Sequence, residues 1–295
     1  MKTYFLASLL FASTSYAIET TNVSTTSHGI NCNVRLSNME IERQINLQNQ
    51  PGFCSGSLID SSTVVTAAHC VTEAIGGRIE NLNNIPNGVF LNMAVGPEPQ
   101  SQRYELKSGN TAAVYHEELA TDEQRRELIR SNLFSKVPHD LVILKLKQPI
   151  ANIDTSSCPR LPTTTECADF TRNYIGNSSR NINEIAGTYY ISSEHTIGER
   201  LQRITTTYPS SRMVNLTAAS FERHATQDHL IVSFESRADR QNARFKKGDS
   251  GAGLMWDRGG RKTLIAVQSA ASKNDESIAH FANICNFNQH SNWPR

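Results

Sequence analysis

The sequence predicts an all-β protein, and two observations carry that expectation. Apolar residues occur in short runs of two to six, and Gly, Asn, Pro and Ser separate the runs. Many short strands punctuated by turn residues indicate a sandwich or a barrel, and periodicity alone does not choose between them. The 295 residues suffice for one large domain or two small ones.

The elements follow in chain order. Met1-Lys2, an apolar run from Phe5 to Phe11 and Ser15-Tyr16-Ala17 have the layout of a secretory signal peptide over residues 1–17. That run is too short to span a bilayer, and no later stretch is long enough. Residues 18–29 are rich in Thr and Ser without apolar periodicity, and read as a disordered leader or propeptide. From Ile41 onward Ile45–Leu47, Ser57–Ile59, Val64–Val65, Val89–Leu91, Leu141–Leu146, Tyr189–Ile191, Leu230–Phe234 and Leu264–Val267 read as strands.

One stretch breaks the pattern. Thr121-Asp-Glu-Gln124 is a capping-box signature, and Leu128, Ile129 and Leu133 make one apolar stripe. A short amphipathic helix is expected near 121–134, as a surface insertion or as an element at the edge of a cleft. Asn22-Val-Ser24, Asn177-Ser-Ser179 and Asn215-Leu-Thr217 match the N-glycosylation acceptor pattern.

The chemistry concentrates in three motifs. Lys247-Gly-Asp-Ser250-Gly-Ala-Gly-Leu254 sets one serine among glycines, whose backbone freedom permits a sharp turn. If that turn folds back, the N–H groups of Gly248 and Ser250 can stabilise an oxyanion. Upstream lie Val64-Val-Thr-Ala-Ala-His69-Cys70 and His139-Asp140-Leu-Val-Ile-Leu-Lys-Leu146. Alone, the glycine-rich segment could be a hairpin with an exposed serine, and Asp140 could sit in a turn. Histidine, then aspartate, then serine is one of the chain orders of a nucleophilic triad.

These three motifs together resemble the trypsin/chymotrypsin-type serine endopeptidases, over most of residues 44–285. The resemblance implies two six-stranded antiparallel β-barrels, at 30–160 and 161–295, with the active site in the cleft between them. It implies Ser250 as nucleophile and His69 as general base and then acid. Asp140 would orient the imidazole and stabilise its charged form. The expected partners are protein or peptide substrates, and the expected protein is a monomer that is extracellular, or periplasmic if bacterial.

The resemblance also implies disulfides, because six cysteines in an exported chain suit that chemistry. Cys54–Cys70 would bracket the histidine loop, Cys167–Cys285 would tie the middle of the chain to its end, and Cys32 is left with Cys158. Asp249 would pair with an α-amino group freed by activation cleavage, as in a zymogen. The usual Ile-Val-Gly-Gly start is absent here. An ungapped count back from Gln44-Ile-Asn-Leu47 lands on Ile30, with Ile18 as a second candidate.

In the resembling family the residue six before the serine lies at the base of the primary specificity pocket. Here it is Arg244, which would disfavour basic substrate residues and suit Glu or Asp or, failing that, a small apolar residue, unless its side chain points to solvent. Ala270 and Ala279 align with the pocket walls, and Gln268-Ser269 stands where Ser-Trp is usual. No cysteine lies four before the serine, so a disulfide common at this pocket is missing. Only ten residues follow Cys285, which shortens the usual terminal helix.

Other classes fit less well. A net charge of +1 argues against a nucleic-acid partner. No Cys-x-x-Cys pair occurs, and adjacent His69 and Cys70 on a strand would face opposite ways, so neither a metal nor another cofactor is expected. An α/β-hydrolase would place its serine first in the triad order. The rival from another class is a non-catalytic protease homologue that serves as a binding or scaffold protein, since a fold can host binding without chemistry.

Overall fold

The structure is a computed structural model of the 295-residue chain. It describes residues 18–19, 25–26, 32–37, 54–72, 88–95, 102–108, 112–114, 140–172, 185–192, 210–224, 227–234, 245, 249–258, 261–271 and 278–286. The signal-peptide segment, the strand Ile45–Leu47, the helix near 121–134 and the residues after 286 lie outside these ranges.

Strand β1 (Ile18–Glu19) and strand β2 (Thr25–Thr26) come first. The leader expected to lack structure therefore supplies two short strands, which pair with the second barrel. The first barrel is built from β3 (Asn33–Ser37), β4 (Cys54–Asp60), β5 (Thr63–Thr66), β6 (Phe90–Val95), β7 (Gln102–Glu105) and β9 (Leu141–Lys145). They are ordered β7-β6-β3-β4-β5-β9, and β8 (Ala112–Val114) extends the β9 edge.

Closure comes from the ends of that run. Leu106 bridges Leu146, Lys107 N–H donates to Lys145 O at 2.8 Å, and Lys147 N–H donates to Glu105 O at 2.8 Å. A closed ring leaves these strands without an open edge, which removes the usual site of aberrant pairing. Lys147 also grips both Glu105 carboxylate oxygens, at 2.8 and 2.9 Å, across the join.

The second barrel holds β10 (Ile185–Ser192), β11 (Ser210–His224), β12 (Gln227–Phe234), β13 (Gly253–Arg258), β14 (Arg261–Ala271) and β15 (Ile278–Asn283). Their order is β10-β13-β14-β15-β12-β11, and an antiparallel β10–β11 pairing closes the ring. β1 adds to β10 in parallel, and β2 adds to β11 antiparallel. Both rings thus contain six antiparallel strands, as the sequence led us to expect.

Side-chain alternation explains why β5 and β9 read as continuous apolar runs. Val64, Val142 and Leu144 point into the first barrel with Val34, Leu36, Leu58, Leu91 and Met93. Val65, Leu141 and Ile143 point the other way and meet Met255, Leu264, Val267, Ala282 and Ile284 of the second half. One face fills a barrel and the other fills the seam between barrels, so the central positions of both strands are apolar. Burying each such side chain contributes about 1.5–3 kcal/mol relative to exposure.

Two short helices punctuate the sheets. α1 (His69–Thr72) is one turn directly after β5. α2 (Thr164–Phe170) opens the second half with a complete capping box between Thr163 and Glu166. α2 was not anticipated, although Thr163-x-x-Glu166 is the same signal that pointed to 121–134. Asn215, an acceptor-pattern asparagine, lies within β11 opposite Ala186.

Candidate active site

His69 is placed by chain direction. β5 delivers Thr66, Ala67 and Ala68 to the barrel rim, where α1 begins with His69. Cys70 N–H and Val71 N–H donate to Ala67 O and Ala68 O, each at 3.1 Å, and fix the turn. The Cys54–Cys70 bridge ties the turn to the start of β4, with Cα atoms 5.9 Å apart.

Asp140 stands one residue before β9, the strand that pairs with β5. The pairing brings the two strand ends together, so residues 71 apart in sequence meet. His69 Nδ1 lies 2.5 Å from Asp140 Oδ2, and the His69 backbone N–H donates to Oδ1 at 2.8 Å. Asp140 is 4% exposed and His69 18% exposed, so the pair is shielded on the carboxylate side and open on the ring side. A buried carboxylate is tolerated when donors surround it. A third donor, Ser269 Oγ, reaches Oδ2 at 2.7 Å. Reading the sequence noted Ser269 only as a departure from the usual Ser-Trp. Its hydroxyl meets Asp140 because β14 carries a bulge between Gln268 and Ala270, which no sequence signal marks.

Ser250 belongs to the second half but is pinned to the first. Ser55 N–H donates to Ser250 O at 2.7 Å, Gly251 N–H to Gln268 O at 2.6 Å, and Ala252 N–H to Asp249 O at 2.9 Å. Thr66 Oγ1 donates to Ser55 O at 2.6 Å and so locks the receiving strand. The backbone thus turns sharply at Gly251, whose φ of +84° lies in the left-handed region. A side chain there would collide with Ser55 O and Thr66 Oγ1. This is the physical reason for glycine after the serine.

The other expected site residues divide into three groups. Gly248, Arg244 and Ile30 lie outside the described residues. Asp249 is 1% exposed and Gln268 likewise 1%. Ala279 is fully buried and faces Ala271 across β14–β15, whereas Ala270 faces His280. The residue opposite Ala279 is therefore Ala271, while Ala270 stands one position along the strand. The same bulge that presents Ser269 shifts the register.

Cys32–Cys158, Cys54–Cys70 and Cys167–Cys285 are bonded, with Cα separations of 5.2, 5.9 and 5.2 Å. Cys54, His69 and Cys70 bring their ligand-type atoms within 4.8 Å of one another. The two sulfurs are spent in the disulfide, however, and only a thiolate binds a metal well. Among the described residues no helix is long and apolar enough to cross a membrane.

Two six-stranded antiparallel barrels, with a His–Asp pair on one and the Asp249-Ser250-Gly251 turn on the other, form the two-barrel architecture that the resemblance implied. The chain matches the family model described as Trypsin over residues 30–290. It belongs to the trypsin family of serine proteases. No curated protein matches it.

Proposed function

We propose that this protein is a secreted serine endopeptidase that hydrolyses peptide bonds through an acyl-enzyme. Family membership supports protein substrates. The observation that carries the catalytic reading is the His69–Asp140 contact, with the carboxylate held by three donors. Asp140 then keeps the imidazole in the tautomer with its other nitrogen ready to accept a proton. Ser250 supplies the nucleophile and His69 takes its proton. The carbonyl carbon becomes tetrahedral, and its oxyanion is met by the N–H groups of Gly248 and Ser250. His69 then returns the proton to the leaving amine, and water repeats the sequence to free the acid.

In the resembling family the position of Arg244 lies at the pocket base, and an arginine there would support a preference for acidic over basic substrate residues. Activation through a new amino terminus at Ile30, or at Ile18, that pairs with Asp249 belongs to the same family reading.

A fluorophosphonate probe tests the proposal. Wild-type protein should label at Ser250, and Ser250→Ala should neither label nor hydrolyse peptides, a loss on the order of a millionfold in turnover. Full activity in Ser250→Ala would overturn the assignment of the nucleophile, and a folded wild type that neither labels nor hydrolyses peptides would leave the binding-protein reading in its place. Mass spectrometry of the same sample reads the mature amino terminus.

A further inference from the structure

A second polar site lies apart from the His69–Asp140–Ser250 constellation. The segment between the barrels, residues 154–160, packs beside the β13–β14 hairpin and leaves a pocket of about 300 Å³. Ser156, Ser157, Cys158, Arg160, Arg261 and Lys262 line it. We propose that this pocket is an oxyanion site that takes a phosphate or sulfate group.

The walls are fixed. Arg160 N–H donates to Lys262 O at 3.2 Å, and Leu264 N–H donates to Arg160 O at 2.9 Å. The Cys32–Cys158 bridge anchors the other side. A floor held by backbone bonds and a disulfide keeps the cations close together without a ligand, which reduces the ordering cost of binding.

Charge decides the ligand. The charge of Arg160 is already matched, because its two terminal nitrogens grip both oxygens of Glu166 and only its Nε has no partner. Asp154 is also committed, its Oδ1 accepting from Ser156 N–H and Ser156 Oγ at 2.9 and 2.6 Å. That leaves Arg261, which is exposed, and Lys262, which is partly buried. Neither forms an ion pair among the described residues. Asp257 sits opposite Lys262 in the hairpin and acts on it only at longer range. Burial pushes the Lys262 ammonium below its ordinary range, the expected result for a cation that has lost water and has no ion-pair partner among the described residues.

A tetrahedral oxyanion would supply that partner. It presents several acceptors to three ammonium donors and a planar guanidinium, and such charge-assisted bonds are short and strong. The Ser157 hydroxyl, now on Asp154 O at 3.3 Å, lies within the same lining and can turn toward it. The volume accommodates the anion with several waters, each taking about 30 Å³. A bound anion would join the interbarrel segment to the second barrel.

Titration calorimetry with inorganic phosphate, at ionic strength held constant with chloride, tests this without reference to peptidase activity. Wild type should show saturable one-to-one binding, and Lys262→Gln and Arg261→Gln should each bind about tenfold more weakly. A second readout needs no variant: phosphate should slow acetylation of the Lys262 amine, and chloride should not. Absence of saturable heat, equal affinity in wild type and both variants, or Lys262 acetylation indifferent to phosphate would each overturn the proposal.

Discussion

Ser269 Oγ donates to Asp140 Oδ2 at 2.7 Å, the same oxygen that meets His69 Nδ1 at 2.5 Å. The second barrel therefore reaches across to hold a carboxylate that belongs to the first. Removing the hydroxyl leaves Asp140 with one donor fewer in a buried site. A hydrogen bond to a charged group contributes about 1.5–3 kcal/mol. If the triad operates as proposed, Ser269→Ala should lower kcat by roughly tenfold to a hundredfold. KM should stay close to wild type, because Ser269 acts by positioning. Ser269→Thr, which retains a hydroxyl, should recover most of the loss. A raised KM with kcat intact would contradict this role.

Gly251 should not tolerate a side chain. Its φ of +84° costs any L-residue about 1–3 kcal/mol, and the added carbon would strike backbone Ser55 O. Gly251→Ala should therefore destabilise the protein by more than the backbone strain alone and disturb the Ser55–Ser250 link. Urea unfolding would show a lower midpoint. An unchanged midpoint would mean that the turn is not rigid.

Glu166 ties acid stability to the start of the second half. The Arg160 guanidinium holds its carboxyl down from an ordinary 4.5 to about 2, with burial opposing and the Thr163 donors assisting. A carboxyl with a depressed folded-state pKa contributes stability that is complete above its unfolded value. That contribution is lost as pH falls from about 4.5 toward about 2. Both partners remain partly solvated, which keeps the effect modest. Glu166→Gln should flatten the decline of stability across this window and leave stability lower near neutral pH. Parallel acid-unfolding curves for the two proteins would refute the assignment.

The Cys54–Cys70 bridge closes a short loop around His69, with a sequence separation of 16. Chain-entropy arguments give a loop of this size about 3 kcal/mol. The double replacement Cys54→Ser/Cys70→Ser should lose stability of that order and lose labelling at Ser250, since α1 would no longer be fixed against β4. A non-reducing peptide map should recover all three bridges in the wild type. Linkage of Cys54 to any other cysteine would contradict the structure.

Much of this was legible from residues alone. The triad motifs and the core strands were readable because their chemistry is local. Val64-Val65 and Leu141–Leu144 had to be apolar on both faces, and Gly251 had to be glycine. Other strands were not readable. β7 (Gln-Arg-Tyr-Glu) is mostly polar and half exposed, and β11 mixes Ser, Thr, Arg and Asn with its apolar residues, so their pairing comes from neighbours rather than from pattern.

The sequence by itself determined the all-β class, because short strands and turn residues are properties of adjacent positions, and its motifs carried the resemblance to the family. Only the tertiary structure decided that Ser269 donates to Asp140, that Ala271 faces Ala279, and that Ser55 holds Ser250. Each depends on strand register between distant segments. A single bulge between Gln268 and Ala270 changes which side chains meet, and its presence is settled by the packing of the closed barrels, not by any residue within it.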